Sequence, residues 1–206
     1  MKKIIASAVI AAATLSASQA AVFNGASAGL TMGTLTSKFD NKVNGTKFNA
    51  SKTFGSYGIH FDYDRSSSNS FYWGLGLDFA MYSGKMQKTS ALLNRKLKAT
   101  YSWSSEFDVR LGYNFCNHVA VYGLAGLRLY DKTIKMFNAT TNVQVVKESK
   151  TRLAPTLGLG AKVKVSDAVS FGAEYRYAFE RKETLGTIAK SKQSSHAALV
   201  KVSYHF

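Results

Sequence analysis

The sequence predicts an all-β protein, an eight-stranded antiparallel up-and-down transmembrane β-barrel. Three observations carry that reading. Eight stretches of roughly ten residues or more alternate apolar and polar side chains with period two. The connections between them alternate long and short. The composition suits long regular strands, with one proline, 16 glycines, 13 phenylalanines and 11 tyrosines.

The chain opens on a segment outside the fold. Lys2 and Lys3 give it a positive start, and Ile4 to Leu15 is apolar but too short to span a bilayer as a helix. Ser18-Gln19-Ala20 puts small residues at the cleavage positions. Residues 1–20 therefore read as a signal peptide cut after Ala20, and residues 21–206 as one exported barrel domain. No later segment approaches the 18 or so unbroken apolar residues of a transmembrane helix. A closed barrel also satisfies every backbone group in lipid. Cys116 is the only cysteine, which excludes an internal disulfide. It reads as an inert thiol, with an intermolecular bridge as the other possibility.

The first strand, Ala26 to Thr36, sets Ala28, Leu30 and Met32 against Ser27, Gly29 and Thr31. The second, Thr53 to Asp64, sets Tyr57, Ile59, Phe61 and Tyr63 against Ser56, Gly58, His60 and Asp62. The third, Phe71 to Tyr82, is the most regular, with Phe71, Trp73, Leu75, Leu77, Phe79 and Met81 on one face. The fourth, Ala99 to Tyr113, carries Tyr101, Trp103, Phe107, Val109 and Leu111 against Glu106, Asp108 and Arg110. The fifth, Val119 to Tyr130, carries Val121, Ala125, Leu127 and Leu129 against Tyr122, Gly126 and Arg128. The sixth, Thr151 to Val165, sets Leu153, Leu157 and Leu159 against Thr156, Gly158 and Lys162. The seventh, Ala168 to Glu180, sets Phe171, Tyr175 and Tyr177 against Gly172, Glu174 and Arg176. The eighth runs from Ser194 to Phe206, with Ala198, Val200, Val202 and Tyr204 opposite Ala197, Leu199, Lys201 and Ser203.

The long connections are Ser37–Lys52, Ser83–Lys98, Asp131–Lys150 and Arg181–Gln193. The short ones are Arg65–Ser70, Asn114–His118 and Ser166–Asp167. Volume decides which face points outward. The apolar face carries both tryptophans and most of the Phe, Tyr and Leu, too much bulk for the narrow interior of eight strands. The glycine-rich polar face fits inside, and a soluble barrel with the opposite polarity is disfavoured. Aromatic residues gather at both ends of the strands, as two interfacial girdles require. The lower girdle is Tyr63, Phe71, Trp73, Tyr113, Tyr204 and Phe206; the upper is Tyr101, Trp103, Tyr177 and Phe179.

The terminal Phe206, with Tyr204 two residues before it, resembles the C-terminal signal that the barrel-insertion machinery of bacterial outer membranes reads. With the signal peptide and the eight strands, the whole of residues 21–206 resembles the small eight-stranded outer-membrane proteins of the OmpA/OmpX and opacity-protein type. The resemblance implies a multi-pass β-barrel in the bacterial outer membrane, extracellular loops, and a surround of outer-membrane lipid and lipopolysaccharide. It specifies fold and place rather than task.

Charge is segregated along the strands. The four long connections hold 17 basic and four acidic residues, whereas the strands and short turns hold eight of each sign. The basic residues nominated for anion binding are Lys42 and Lys47, then Lys85, Lys88, Arg95, Lys96 and Lys98, then Lys132 and Lys135, and last Lys190 and Lys192. Such a surface suits lipopolysaccharide phosphates, an anionic host glycan or an acidic protein. It also suits a purely structural basic rim. Nucleic acid is not expected as a ligand of an exported surface.

The polar face supplies a second set of charges. Asp78, Glu106, Asp108 and Arg110 come from strands three and four, and Arg128, Lys162, Glu174, Arg176 and Lys201 from strands five to eight. Buried charges must pair, so these read as a salt-bridged plug. A narrow gated pore is the sharper alternative. An enzyme that modifies lipid A is the other, because Ser194 and His196 share one face near the top of strand eight. Its acyl-transfer chemistry needs a carboxylate, which parity does not supply, since Glu180 falls on the inner face. The protein reads as a non-enzyme. His60, His118 and His205 form no metal-ligand cluster, and no cofactor is implied.

Overall fold

The computed structural model describes residues 23–206 except 44–45, 68–69, 85, 91–94, 116–117, 139–143, 181–182 and 186–188. At the upper strand ends (39–43, 46–50, 86–90, 95–99, 134–136, 138, 144–148, 150, 183–185 and 189–193) the backbone alone is described. The proposed signal peptide, Cys116 and Lys85 lie outside the described residues.

The strands are β1 (Gly25–Val43), β2 (Thr46–Ser66), β3 (Phe71–Ser83), β4 (Met86–Ser90), β5 (Arg95–Phe115), β6 (Val119–Asn138), β7 (Gln144–Lys164), β8 (Val169–Ala178), β9 (Glu183–Leu185) and β10 (Ala189–His205). Eight of them form the wall in the order β1-β2-β3-β5-β6-β7-β8-β10, all antiparallel. β10 pairs back onto β1 from Ser27↔His205 to Val43↔Ala189, which closes the circuit of the wall. The short β4 and β9 pair with β5 and β10 at the upper end. β4 follows β3 after a break at Gly84, whose φ of 120° lies where glycine alone is comfortable.

Burial alternates residue by residue, as along β3 and β8. The buried face is the polar one. Leu30, Phe61, Leu127, Leu159 and Val200 are exposed, while Asp62, Asp108, Arg110 and Lys201 are buried. This polarity is inverted relative to a water-soluble protein and matches a barrel wrapped in lipid. At the lower rim Tyr204 and Phe206 are exposed and stack edge to face at 5.5 Å. The Phe206 N–H donates to the Ala26 carbonyl at 3.0 Å, which continues the closing ladder.

Two sequence expectations need correction. The long connections are not mainly loops. β1 and β2 stay paired up to Val43↔Thr46, and β6 and β7 up to Phe137↔Gln144. Above the apolar belt both faces of a strand meet polar surroundings, so alternation disappears while backbone pairing continues. Tyr101 is also not a girdle residue; it is 1% exposed, inside the barrel. Between the pairs Tyr101↔Lys132 and Ser104↔Tyr130, β5 has two residues where β6 has one, Asp131. This one-residue bulge leaves Ser102 and Trp103 both outward and reverses parity above them.

Candidate functional site

The interior is built in layers. At the lower end Phe23, Tyr72 and Tyr122 stack with ring centroids 5.9 and 5.4 Å apart. Gly160 makes room for the Tyr122 ring, since a Cβ at 160 would lie 2.6–2.8 Å from it. The Tyr122 hydroxyl donates to Glu174 at 2.8 Å, and the Tyr72 hydroxyl donates to Asp64. Both phenols thus tie the aromatic layer to the charges above.

The nine charged residues expected inside are all buried, none more than 6% exposed. Eight of them join one ion-pair network. Arg176 reaches Asp78 at 2.8 Å, Glu106 at 3.1 Å and Asp108 at 3.2 Å, and also contacts Glu174 on its own strand. Lys201 bridges Asp78 at 2.8 Å and Glu174 at 3.4 Å. Arg110 bridges Asp108 at 2.6 Å and Asp62 at 2.8 Å. Lys162 holds Asp62 at 3.0 Å and Asp64 at 2.6 Å. Arg128 stands above this network, donating to the Tyr82 hydroxyl at 2.7 Å and lying over the Tyr82 and Tyr130 rings.

Asp62 and Asp64 complete the network and were missed as members of it. Parity along the second strand places both inside; their pairing with Lys162 depends on strand stagger, which parity does not give. Among the described residues the buried charges are seven acids and six bases. The interior is therefore close to neutral, and the protein's positive excess lies elsewhere. His60 is held between Thr31 and Ser203 at 2.9 and 2.8 Å, which gives it a structural role.

Above the charges lies an upper cluster of Leu35, Phe54, Tyr101, Tyr130, Ala154, Ala178 and Ala197. Between the two layers is a cavity of about 30 Å³ bordered by Asp78, Glu106, Arg128, Arg176 and Tyr82. That is room for a water or two, not a channel. Lys132, expected on the anion-binding surface, belongs to this interior. It is 2% exposed, with its ammonium 5.9 Å from the Tyr101 ring centroid. β6 runs on past Tyr130 with its alternation unbroken, so Lys132 follows Arg128 and Tyr130 onto the inner face, and the bulge in β5 turns its register partner Tyr101 inward to meet it.

The other nominated basic residues map to the upper end. Lys42 and Lys47 flank the β1–β2 tip, Lys88 is on β4, and Arg95, Lys96 and Lys98 open β5. Lys135 is on β6, and Lys190 and Lys192 open β10. Exposed Lys38 and Lys52 add to them.

Residues 5–206 match the profile of the outer membrane protein beta-barrel domain family. The chain belongs to that family. The family match and the closed inverted barrel place the protein in the bacterial outer membrane, with its upper hairpins outward. The 31 kDa outer-membrane immunogenic proteins of Brucella melitensis and Brucella suis are each 26% identical to this chain over 157 residues. The match covers 72% of this chain and 65% of theirs, so the chain spans just under two thirds of their length. Among solved structures, OprG of Pseudomonas aeruginosa aligns at a TM-score of 0.49 and 16% identity, over 90% of this chain and 98% of that one. Ail of Yersinia pestis, crystallised with the heparin analogue sucrose octasulfate, aligns at 0.43 and 15%, over 88% and 99%. Likenesses of this size carry no information about binding.

The geometry around Ser194 and His196 does not assemble an acyl-transfer site among the described residues. The His196 ring accepts or donates a 2.6 Å hydrogen bond with the Tyr175 hydroxyl and packs edge to face on Tyr177 at 4.8 Å. The nearest ladder partner of Ser194 is Lys38, a cation rather than a carboxylate. The surroundings of His196 are those of an aromatic girdle.

Proposed function

We propose that this outer-membrane barrel is a surface protein whose cationic upper end binds anionic glycans, lipopolysaccharide included, above an interior closed by ion pairs. One observation carries the reading: the separation of charge. The interior is near neutral, the lipid-facing wall is apolar, and the four upper segments hold 17 bases against four acids. With Lys132 assigned to the interior, 16 bases remain. Lysines on separate hairpins suit diffuse contacts with phosphate or sulfate better than one shaped pocket. Each contact is weak, so binding is multivalent and sensitive to salt.

The test is charge reversal of Lys85, Lys88 and Lys96 to Glu, followed by binding to immobilised lipopolysaccharide and to a sulfated polysaccharide. Binding at low salt is expected to fall at least tenfold, about 1.4 kcal/mol. The heat-modifiable migration of the barrel on a detergent gel should not change. Parent-level binding by the reversed protein would leave the upper end as a solvated rim on a structural barrel.

A further inference from the structure

The upward extension of the ladders brings lysines from different strands into single register rows. On one wall Lys98 of β5 stands opposite Lys135 of β6, which stands opposite Lys147 of β7. On another wall Lys47 of β2 stands opposite Lys42 of β1, which stands opposite Lys190 of β10. The central strands of these rows, β6 and β1, are half the eight-strand circuit apart, so the rows occupy opposing walls. Directly paired residues in an antiparallel ladder lie about 5 Å apart, and like charges there repel. Three in a row make the middle lysine unfavourable twice over. A bound anion removes that cost.

Height along the wall indicates which anion. Two residues below the β5–β7 row is a row of hydroxyls, Thr100, Thr133 and Ser149, with a 3.1 Å hydrogen bond between the last two. Below these the outer face turns apolar at Leu129 and Leu153. Lys135 is six residues above Leu129, about 20 Å of strand. At the usual tilt that is about 15 Å of height, beyond the hydrocarbon and level with the lipid's sugars and phosphates.

We propose that each lysine row seats a phosphate of an outer-leaflet lipopolysaccharide, so that the barrel carries two such lipids on opposing walls. The proposal rests on the reading of the upper end as an anion-binding surface and names its partner.

The experiment uses the full barrel refolded in lipopolysaccharide-free detergent. Lipopolysaccharide is added intact, after chemical dephosphorylation, or replaced by inorganic phosphate at the same phosphate concentration. Heparin forms a fourth arm. The readouts are the heat-modification midpoint and the lipid stoichiometry by native mass spectrometry. Intact lipopolysaccharide is expected to raise the midpoint and bind as two copies, and the two phosphate controls to do neither. The triple variant K98Q/K135Q/K147Q should lose one copy, and K42Q/K47Q/K190Q the other. Neither variant should melt below the parent without lipid, because each relieves like-charge pairing; this separates lost binding from lost folding. Unchanged stoichiometry and midpoint shift in both variants would overturn the proposal, as would an equal shift with inorganic phosphate. Heparin binding that survives those failures would leave the broader anion-binding reading standing, whereas loss of binding to every anion would remove both.

Discussion

Replacing Arg176 with methionine is expected to cost the folded barrel about 3–5 kcal/mol, the range for breaking a buried ion pair from one side. Methionine roughly fills the volume, so packing is not the main loss. The loss is electrostatic. Arg176 is the hub for Asp78, Glu106, Asp108 and Glu174. Without it, among the described residues Lys201 remains paired with Asp78 and Glu174, and Arg110 with Asp108 and Glu174. Glu106 keeps the hydrogen bond from Thr156 at 2.7 Å but loses its ion pair with Arg176. Removing Glu106 as well should therefore cost less than the sum of the two single changes. Urea unfolding in lipid vesicles measures all three variants. An Arg176→Met barrel within about 1 kcal/mol of the parent would show that the network does not hold the interior together.

Leu159→Arg is expected to cost about 2–4 kcal/mol in a bilayer, the range for a cation at the midplane of a transmembrane barrel. Leu159 is 69% exposed on β7, midway along the apolar face between Leu153 and Val165. Its ladder neighbours are Gly123 and Tyr175, which offer an arginine no carboxylate. Ser149→Arg, on the same strand but above the belt, should cost no more than about 1 kcal/mol. The comparison isolates depth from substitution type. Equal costs at the two positions would mean that Leu159 does not face hydrocarbon.

The barrel was legible because lipid and interior impose opposite polarity on alternate residues. Phe71 to Tyr82 shows that period without a break, and β3 spans nearly the same residues, Phe71–Ser83. The volume argument gave the sidedness, since two tryptophans and most of the phenylalanines cannot share a lumen with Arg110, Arg176 and the tyrosines already there. The bulge at Ser102 and Trp103 was not legible. Both residues are ordinary in a strand, and only the partner strand shows that one is extra. Tyr101 was misplaced for that reason, whereas Lys132 was misplaced because β6 continues past Tyr130 into the segment read as a loop. The extent of the upper hairpins was hidden as well, because polar surroundings on both faces erase the alternation from Ser37 to Lys52. The charged interior was readable as a set of residues but not as pairs. Parity gives the face, and stagger decides that Lys162 meets Asp64 rather than Glu106.

The salt dependence of lipopolysaccharide binding by the refolded parent tests the central claim most directly. Affinity measured in a series from low to above-physiological salt is expected to fall steeply and continuously, as many weak lysine–phosphate contacts are screened. Binding that does not change across the series, or no binding at the lowest salt, would contradict a cationic upper end that engages anionic sugars.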